Sequence, residues 1–272
     1  MIKLEIEKGK KIYFASDLHL GYPDDASSLV REKNFIKWLD HIKKDAQHIF
    51  LLGDIFDFWF DYKYVIPKGF VRFQGKLAEL VDSGIPITFF TGNHDMWMFG
   101  YFPDQFNIPV YYNHTELAYG NLKLLIGHGD GLGPGDYTYK LLKKVFRNPF
   151  CQWLFGKLNP NFGMWLAHTW SKGKKDKKMK KVLKFFGEKE FIYQFCKAYH
   201  INSPCDYYLF GHRHIPHIMP LGESSKYINI GDWVANTSFA ECDGKQVVLK
   251  EWDGEKVTSP TPETYAHPIL TK

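Results

Sequence analysis

Cysteine is scarce in this chain of 272 residues, and the four present form no CxxC pair: Cys151, Cys196, Cys205 and Cys242. Their spacing suggests no disulfide framework and fits a reducing compartment. Long apolar runs are also missing. No stretch approaches the ~20 residues that span a bilayer, and the N-terminus has no apolar segment of signal-peptide length. We therefore expect a soluble cytoplasmic protein, with contact to a membrane surface left open.

Acidic residues are almost absent from one segment. Between residues 137 and 185 there are thirteen Lys or Arg and a single acid, Asp176, although the net charge of the whole chain is only +5. Such segregation favours an anionic partner for this segment. The run Lys172–Lys184 is by itself more typical of a solvated helical face than of a contact with lipid or phosphate. Aromatic residues make up 17% of the chain, which fits a well-filled core or a surface at a water–apolar boundary.

Five short, nearly continuous apolar runs predict strands that are buried on both faces. They are Ile12–Ala15, His48–Leu52, Ile85–Thr91, Leu122–Ile126 and Tyr207–Phe210. Apolar stripes with helical spacing lie between them, for example from Phe35 to Ile42 and from Glu188 to Tyr199. This alternation indicates an α/β fold. We expect His41 and His48, near a helix–strand junction, to lie on the surface.

The rest of the chain departs from this alternation. Lys226–Ile230, Val234–Glu241 and Gln246–Trp252 predict strands of a second, more antiparallel sheet, with a hairpin at Asp243-Gly244. Earlier, residues 133–187 carry helically spaced apolar residues broken by prolines. We expect a core over residues 1–132 and 188–258, an inserted helical cap over 133–187, and an irregular tail over 259–272.

A polar motif follows each of the five predicted strands. The motifs are Asp17-Leu18-His19, Gly53-Asp54, Gly92-Asn93-His94-Asp95, Gly127-His128-Gly129-Asp130 and Gly211-His212-Arg213-His214. The carboxyl ends of strands in an open α/β sheet share one edge, where ligands bind. A single Asp or His at such a place is usually a turn or surface residue. Five motifs that coincide in this way favour one shared site.

The donor types in these motifs indicate metal ions. Carboxylate, amide and imidazole groups without thiolates suit divalent cations such as Mn²⁺, Fe²⁺ or Zn²⁺. Seven candidate ligands are available, which is enough for two cations: Asp17, His19, Asp54, Asn93, His128, His212 and His214. Asp54 is the natural bridge, because one carboxylate offers two oxygens. Two neighbouring cations can clamp a phosphate and stabilise its attacking and leaving oxygens.

As a set, these motifs resemble the calcineurin-like metallophosphoesterase superfamily. The resemblance spans residues 12 to about 232 and implies two mixed β-sheets sandwiched between helices. It implies that one cation is held by Asp17, His19, Asp54 and His214, and the other by Asp54, Asn93, His128 and His212. It also implies that His94 stabilises the phosphate or gives a proton to the leaving oxygen. Asp95 is expected either to orient His94 or to cap a helix.

Three longer stretches narrow the resemblance. Asp17–Gly21, Gly53–Trp59, and His128–Gly131 followed by Asp136 are similar to the UDP-2,3-diacylglucosamine pyrophosphohydrolase family of lipid A biosynthesis. This implies hydrolysis of a nucleotide-linked glycolipid, UDP-2,3-diacylglucosamine, to UMP and 2,3-diacylglucosamine 1-phosphate. It further implies Mn²⁺ as the cofactor and a place on the cytoplasmic face of the inner membrane.

The cap suits such a substrate. Its acyl chains need an apolar cleft, for which the candidates are Trp153, Phe155, Trp165, Leu166 and Trp170. Its pyrophosphate and anionic lipid headgroups would favour Lys and Arg on the cap. We expect substrate contacts at Asp136, Trp170, Ser171, Lys172 and Lys175.

One position departs from the narrower family. The best-known members carry arginine where this chain has His94, and that arginine contacts substrate phosphate. The alternative is therefore a related metallophosphoesterase that acts on another nucleotide-linked or lipid-linked phosphate ester, with nucleic acid as a less favoured substrate. A binding scaffold without catalysis is a third hypothesis, but such a protein would have lost ligands, and all seven are present.

Overall fold

Two mixed β-sheets lie face to face at the centre of the computed structural model, which describes residues 1–167, 169 and 185–259. The strands are β1 Ile2–Leu4, β2 Lys11–Ala15, β3 Ala46–Leu52, β4 Ile87–Phe90, β5 Val110–Tyr111, β6 Thr115–Tyr119, β7 Leu122–Gly127, β8 Tyr207–Phe210, β9 His217–Leu221, β10 Ser225–Asn229, β11 Ser238–Cys242, β12 Val247–Trp252 and β13 Val257–Thr258. One sheet has the order β1-β6-β7-β8-β10-β9, and the other has the order β13-β12-β11-β2-β3-β4-β5.

The helices are α1 Asp25–Ile42, α2 Val71–Asp82, α3 Tyr101–Phe106, α4 Tyr137–Phe146, α5 Pro149–Phe155, α6 over residues 160–167 and α7 Phe191–Asn202. Helices α1, α2 and α3 pack on the outer face of the seven-stranded sheet, and α7 packs on that of the six-stranded sheet. Helices α4 and α5 have no buried residue. In the parts of the chain that the structure covers, no helix combines the length and apolar character that a bilayer crossing requires.

The core between the sheets follows from the alternation of side chains along each strand. Ile12 and Phe14 of β2 point towards the other sheet, and Phe14 stacks on Phe50 of β3 with ring centroids 5.3 Å apart. Tyr13 and Ala15 point the other way, into the layer formed by α1 and α2. The central strands are therefore buried on both faces, and this explains their nearly continuous apolar sequences.

The α/β fold with two mixed sheets between helices is confirmed. The expectation of a separate C-terminal sheet is wrong. Strand β10 pairs with β8 in one sheet, whereas β11 pairs with β2 in the other, so the late strands are divided between the two. Residues 234–237 are also not part of β11. They form a turn, because the Asp232 carboxylate accepts the backbone amides of Ala235 and Asn236.

His48 is buried, contrary to the surface position expected for it. It retains 8% exposure in β3, where its ring stacks on Phe50 and its Nε2 lies 2.9 Å from Thr88 Oγ1. Burial lowers the pKa of His48 to about 4. The folded protein therefore holds this imidazole neutral at pH values where the unfolded chain protonates it.

The buried, neutral His48 should make the stability of the folded protein sensitive to acid. Because the unfolded state binds the proton first, His48 should cost stability as the pH falls from about 6.5 to about 4, by roughly 3 kcal/mol over the whole window. Urea unfolding of wild type and His48→Gln should show a shallower loss of stability in the variant over this range. His41→Gln, which changes a partly exposed histidine, should leave the slope as it is. Equal slopes for wild type and His48→Gln would contradict the prediction.

Candidate metal centre

The seven candidate ligands lie beyond the carboxyl ends of five strands, but those strands belong to two sheets. Asp17 and His19 follow β2, Asp54 follows β3 and Asn93 follows β4, all in the seven-stranded sheet. His128 follows β7, and His212 and His214 follow β8, in the six-stranded sheet. The shared edge expected from the sequence is thus the junction where the carboxyl ends of both sheets converge.

The backbone at this junction adopts an unusual conformation. Positive φ angles of 45–68° occur at five of the ligand positions: Asp17, His19, Asp54, His212 and His214. Residues with a Cβ rarely adopt this left-handed region. Such conformations persist where the surrounding structure fixes them, and they concentrate at functional sites.

Two glycines allow the loops to approach one another closely. A Cβ on Gly92 would overlap Asp54 Oδ1, and a Cβ on Gly211 would overlap Ser16 Oγ and Asp17 Oδ2. Both carboxylates therefore occupy space that only glycine leaves open.

Three overlapping groups of possible metal ligands lie here, and the first combines Asp17, His19 and His214. His214 Nε2 lies 3.2 Å from both Asp17 Oδ1 and His19 Nε2. The second group combines Asp54, His128 and His212, with His128 Nε2 3.3 Å from Asp54 Oδ2.

Asp54 connects these two groups, and with His19 and His94 it forms the third. The same Oδ2 that approaches His128 lies 3.6 Å from His19 Nε2. Its other oxygen accepts the backbone N–H of His94 at 2.8 Å. The carboxylate thus stands between the groups, where a bridging ligand would have to be.

Several donor atoms in the centre lack the partner that a buried polar atom normally has. Asp17 Oδ1, Asn93 Oδ1 and His128 Nε2 are buried and find no hydrogen-bond partner among the described residues. His128 Nδ1 lies 2.9 Å from the carbonyl of Leu52, which can only accept, so Nδ1 keeps its proton and Nε2 is the nitrogen that can offer a lone pair once it is deprotonated. These lone pairs fit divalent cations.

The buried carboxylates of the centre also favour positive charge beside them. Burial opposes ionisation of Asp17, but the charges of His214 and His128 outweigh it and lower the pKa of Asp17 to about 2. Burial would likewise lower the pKa of His128, yet the carboxylates of Asp54 and Asp17 raise it to about 10. In the absence of cations, protons therefore compensate the carboxylates. Cations that bind here must displace those protons.

His94 lies at the edge of the centre, where it remains accessible. Its side chain keeps 23% exposure, and its ring stands edge-on to that of His19 with centroids 4.8 Å apart. Its Nδ1 lies 2.9 Å from the carbonyl oxygen of Asp57. Nδ1 therefore donates to this carbonyl.

Asp95 has neither of the two roles expected for it. Its carboxylate accepts the backbone amides of Ile55 and Gly92, each at 2.7 Å, and that of Asp54 at 3.2 Å. No helix begins at this point of the chain. Asp95 therefore fastens the loop that carries Asp54 to the loop that carries Asn93, and it acts on the centre through the backbone.

Of the five predicted substrate contacts, only Asp136 is among the residues that the structure describes. Asp136 is exposed immediately before α4, with φ of 46°. Trp170, Ser171, Lys172 and Lys175 lie outside the described residues.

Two supporting residues were missed from the sequence. Asp232 Oδ2 lies 2.8 Å from His214 Nδ1, an arrangement that fixes the orientation of a ligand imidazole. Its position just beyond β10 repeats the strand-end pattern and offered a signal. Arg31 of α1 donates to the carbonyl of His19 at 2.8 Å, and nothing in its sequence context pointed to the site.

This fold and this site define a metal-dependent hydrolase. A family model described as calcineurin-like phosphoesterase matches residues 10–216, and the chain belongs to that family.

Relatives with a more specific name match nearly the whole chain. A Porphyromonas gingivalis protein named UDP-2,3-diacylglucosamine hydrolase is 34% identical over 260 residues, which cover 89% of this chain and 98% of the relative. A protein of the same name from Actinobacillus succinogenes is 24% identical over 242 residues, which cover 89% of this chain and 99% of the relative. Among solved structures, Vps29 of Cryptosporidium parvum is 13% identical with a TM-score of 0.46, over 93% of this chain and 96% of that chain.

Proposed function

We propose that this protein hydrolyses the pyrophosphate bond of UDP-2,3-diacylglucosamine, releasing UMP and 2,3-diacylglucosamine 1-phosphate for lipid A biosynthesis. The observation that carries the proposal is the pair of ligand groups with the Asp54 carboxylate between them, in a chain 34% identical to a UDP-2,3-diacylglucosamine hydrolase. The hydrolytic class follows from the site, and the substrate follows from the relatives.

The ligand assignment is part of the proposal. Asp17, His19, Asp54 and His214 would hold one cation, and Asp54, Asn93, His128 and His212 the other. We favour Mn²⁺ because the resemblance to the UDP-2,3-diacylglucosamine pyrophosphohydrolase family implies it, and the oxygen and imidazole donors are compatible with it. When bound, two divalent cations polarise the phosphate oxygens and offset the charge that develops during cleavage.

His94 would meet the substrate directly. Its backbone N–H is tied to Asp54 and its Nδ1 to the carbonyl of Asp57, so the ring is held in a fixed position. As the family resemblance implies, this ring would contact a phosphate oxygen or supply a proton to the leaving oxygen. Asp95 is a positioning residue in this scheme.

The segment from 133 to 187 would form a cap over the site, inserted into a core of residues 1–132 and 188–258. Phe155 of α5 packs on Phe60 and Trp97, with ring centroids 4.8 and 5.4 Å away. The cap also exposes a set of large apolar side chains: Leu141, Phe150, Trp153, Leu154, Phe162 and Trp165. So large an exposed apolar set favours a lipid-facing role.

A lipid-facing cap has consequences for where the protein works. Its apolar side chains would serve the acyl chains of the substrate and peripheral contact with the cytoplasmic face of the inner membrane. The basic residues between 137 and 185 would then face anionic headgroups and the pyrophosphate.

The test is direct. Purified protein incubated with Mn²⁺ and UDP-2,3-diacylglucosamine should release UMP and 2,3-diacylglucosamine 1-phosphate in equal amounts, measured by liquid chromatography and mass spectrometry. Removal of the metal with EDTA should stop the reaction, and added Mn²⁺ should restore it. Cleavage of bis(4-nitrophenyl) phosphate without UMP release would refute the substrate while leaving the phosphoesterase class intact. That outcome would favour another nucleotide-linked or lipid-linked ester, the alternative suggested by His94.

A further inference from the structure

A partly buried ion pair between Lys143 and Asp130 fastens α4 to the loop that carries His128. Asp130 lies two residues after His128 and is 4% exposed. Its Oδ2 accepts from Lys143 Nζ and from the Tyr139 hydroxyl, each at 2.5 Å, and its backbone carbonyl accepts from Lys143 Nζ at 2.8 Å. Two side chains of the first cap helix thus converge on one carboxylate beside the metal centre.

A second buried ion pair lies where the chain returns from the cap. Arg213 stands between His212 and His214 in the sequence, and its Nε and Nη2 donate to the two oxygens of Glu190 at 2.8 and 3.1 Å. Glu190 is 1% exposed and also accepts the backbone N–H of Phe186 at 2.9 Å.

The two ends of the cap also touch each other. A Cβ on Gly133 would overlap the backbone carbonyl of Phe191, so the outgoing and returning segments pass in direct contact. Each end is therefore held against the other and tied by an ion pair to a loop that bears candidate ligands. Ion pairs that are removed from water contribute little net stability, because desolvation of the charges offsets their attraction. We therefore attribute to these two pairs a role in positioning the cap.

We propose that Lys143 and Glu190 are positioning residues that couple α4 and α5 of the cap to the metal centre, so that cation binding orders these two helices and their seating strengthens cation binding. The inference rests on the proposed metal centre. Because coupling between two sites is reciprocal, a variant that loosens the cap must also weaken cation binding.

A substitution at Lys143 can distinguish a positioning effect on cation affinity from an effect of charge alone. Burial lowers the pKa of Lys143, while the carboxylates of Asp130 and Asp54 oppose that effect, so its charge and the centre act on each other. Removing a positive charge here should tighten cation binding if charge alone mattered. If Lys143 positions the loop of His128, the same change should weaken binding.

The experiment compares Lys143→Met with Lys144→Met, which removes the same charge from an exposed position one residue along α4. Mn²⁺ affinity is measured by calorimetry, and hydrogen exchange of α4 and α5 is followed with and without Mn²⁺. Lys143→Met should weaken Mn²⁺ binding about 5-fold or more, within the range of couplings between sites. It should also lose the protection that Mn²⁺ gives to α4 and α5. Lys144→Met should behave as wild type, and Lys143→Arg should recover most of the affinity.

The remaining outcomes are also decisive. Unchanged or tighter Mn²⁺ binding in Lys143→Met would overturn the inference, as would protection that persists in that variant. If Lys143→Met does not fold, Tyr139→Phe removes one hydrogen bond to Asp130 without changing charge, and it should weaken both readouts in the same direction. Wild-type values for Tyr139→Phe would then overturn the inference. Failure of wild type itself to bind Mn²⁺ would instead count against the proposed metal centre.

Discussion

Asp54→Asn is expected to lower kcat/KM by more than about 100-fold and to reduce the metal content of the purified protein. Replacing a partner of a metal ligand typically costs 10–100-fold in affinity or activity, and a carboxylate that lies between both ligand groups should cost more. The amide that replaces it keeps one oxygen, so it can still accept the N–H of His94, but it cannot supply two anionic oxygens. Metal per chain is measured by mass spectrometry after gel filtration in Mn²⁺, and activity is measured by UMP release.

A matched control for Asp54→Asn is Asp82→Asn, which makes the same chemical change at the exposed end of α2. It should keep full metal content and full activity. Two tightly bound cations in Asp54→Asn would show that this carboxylate does not bridge, and the account of the centre would have to be revised.

Gly92→Ala should damage the centre although it adds only a methyl group. The new Cβ would overlap Asp54 Oδ1 and crowd the backbone nitrogen of Asp54. Relief requires the carboxylate to turn away from His128 or the two loops to separate. We expect a loss of about 1–3 kcal/mol in the free energy of unfolding, as is usual for overpacking. A loss of about 10-fold or more in Mn²⁺ affinity should accompany it, since the displaced group is a proposed ligand.

The control for this variant is another glycine with free space around it. Gly75 lies inside α2, and a Cβ there would meet no atom within 4 Å. Gly75→Ala should stabilise the protein by about 0.5–1 kcal/mol, because alanine is the better helix former. The two Gly→Ala changes should therefore shift the urea midpoint in opposite directions. Wild-type Mn²⁺ affinity in Gly92→Ala would mean that the loops adapt more readily than their contacts suggest.

Because the centre draws its residues from two sheets, the packing between these sheets affects the geometry of the site. Asp17, Asp54 and Asn93 come from one sheet, and the histidines at 128, 212 and 214 come from the other. Their distances are set by the apolar layer between the sheets, in which Phe14, Phe50 and their neighbours are fully buried. Side-chain packing far from any ligand thus fixes the spacing of the ligand groups.

Much of this protein is determined by local sequence. A strand that is buried on both faces must be apolar along its length. The apolar runs that form β2, β3, β7 and β8 can therefore be recognised as strands in the sequence. The polar residues that follow such strands have to lie at a sheet edge, and their donor atoms point to divalent cations. For these reasons the fold class and the set of residues that gather at the junction could be predicted from the sequence.

Tertiary structure alone decided which groups meet across the chain. Asp95 accepts an amide 40 residues away, and the N–H of His212 reaches Asp17 across 195 residues. The same long-range packing buries His48, assigns β10 and β11 to different sheets, and brings Lys143 to Asp130 and Arg213 to Glu190. No periodicity or spacing encodes these partners, because they depend on how two sheets and a cap settle against one another. The residues that gather at the centre could therefore be predicted from the sequence, whereas the contacts that hold them in place came only from the fold.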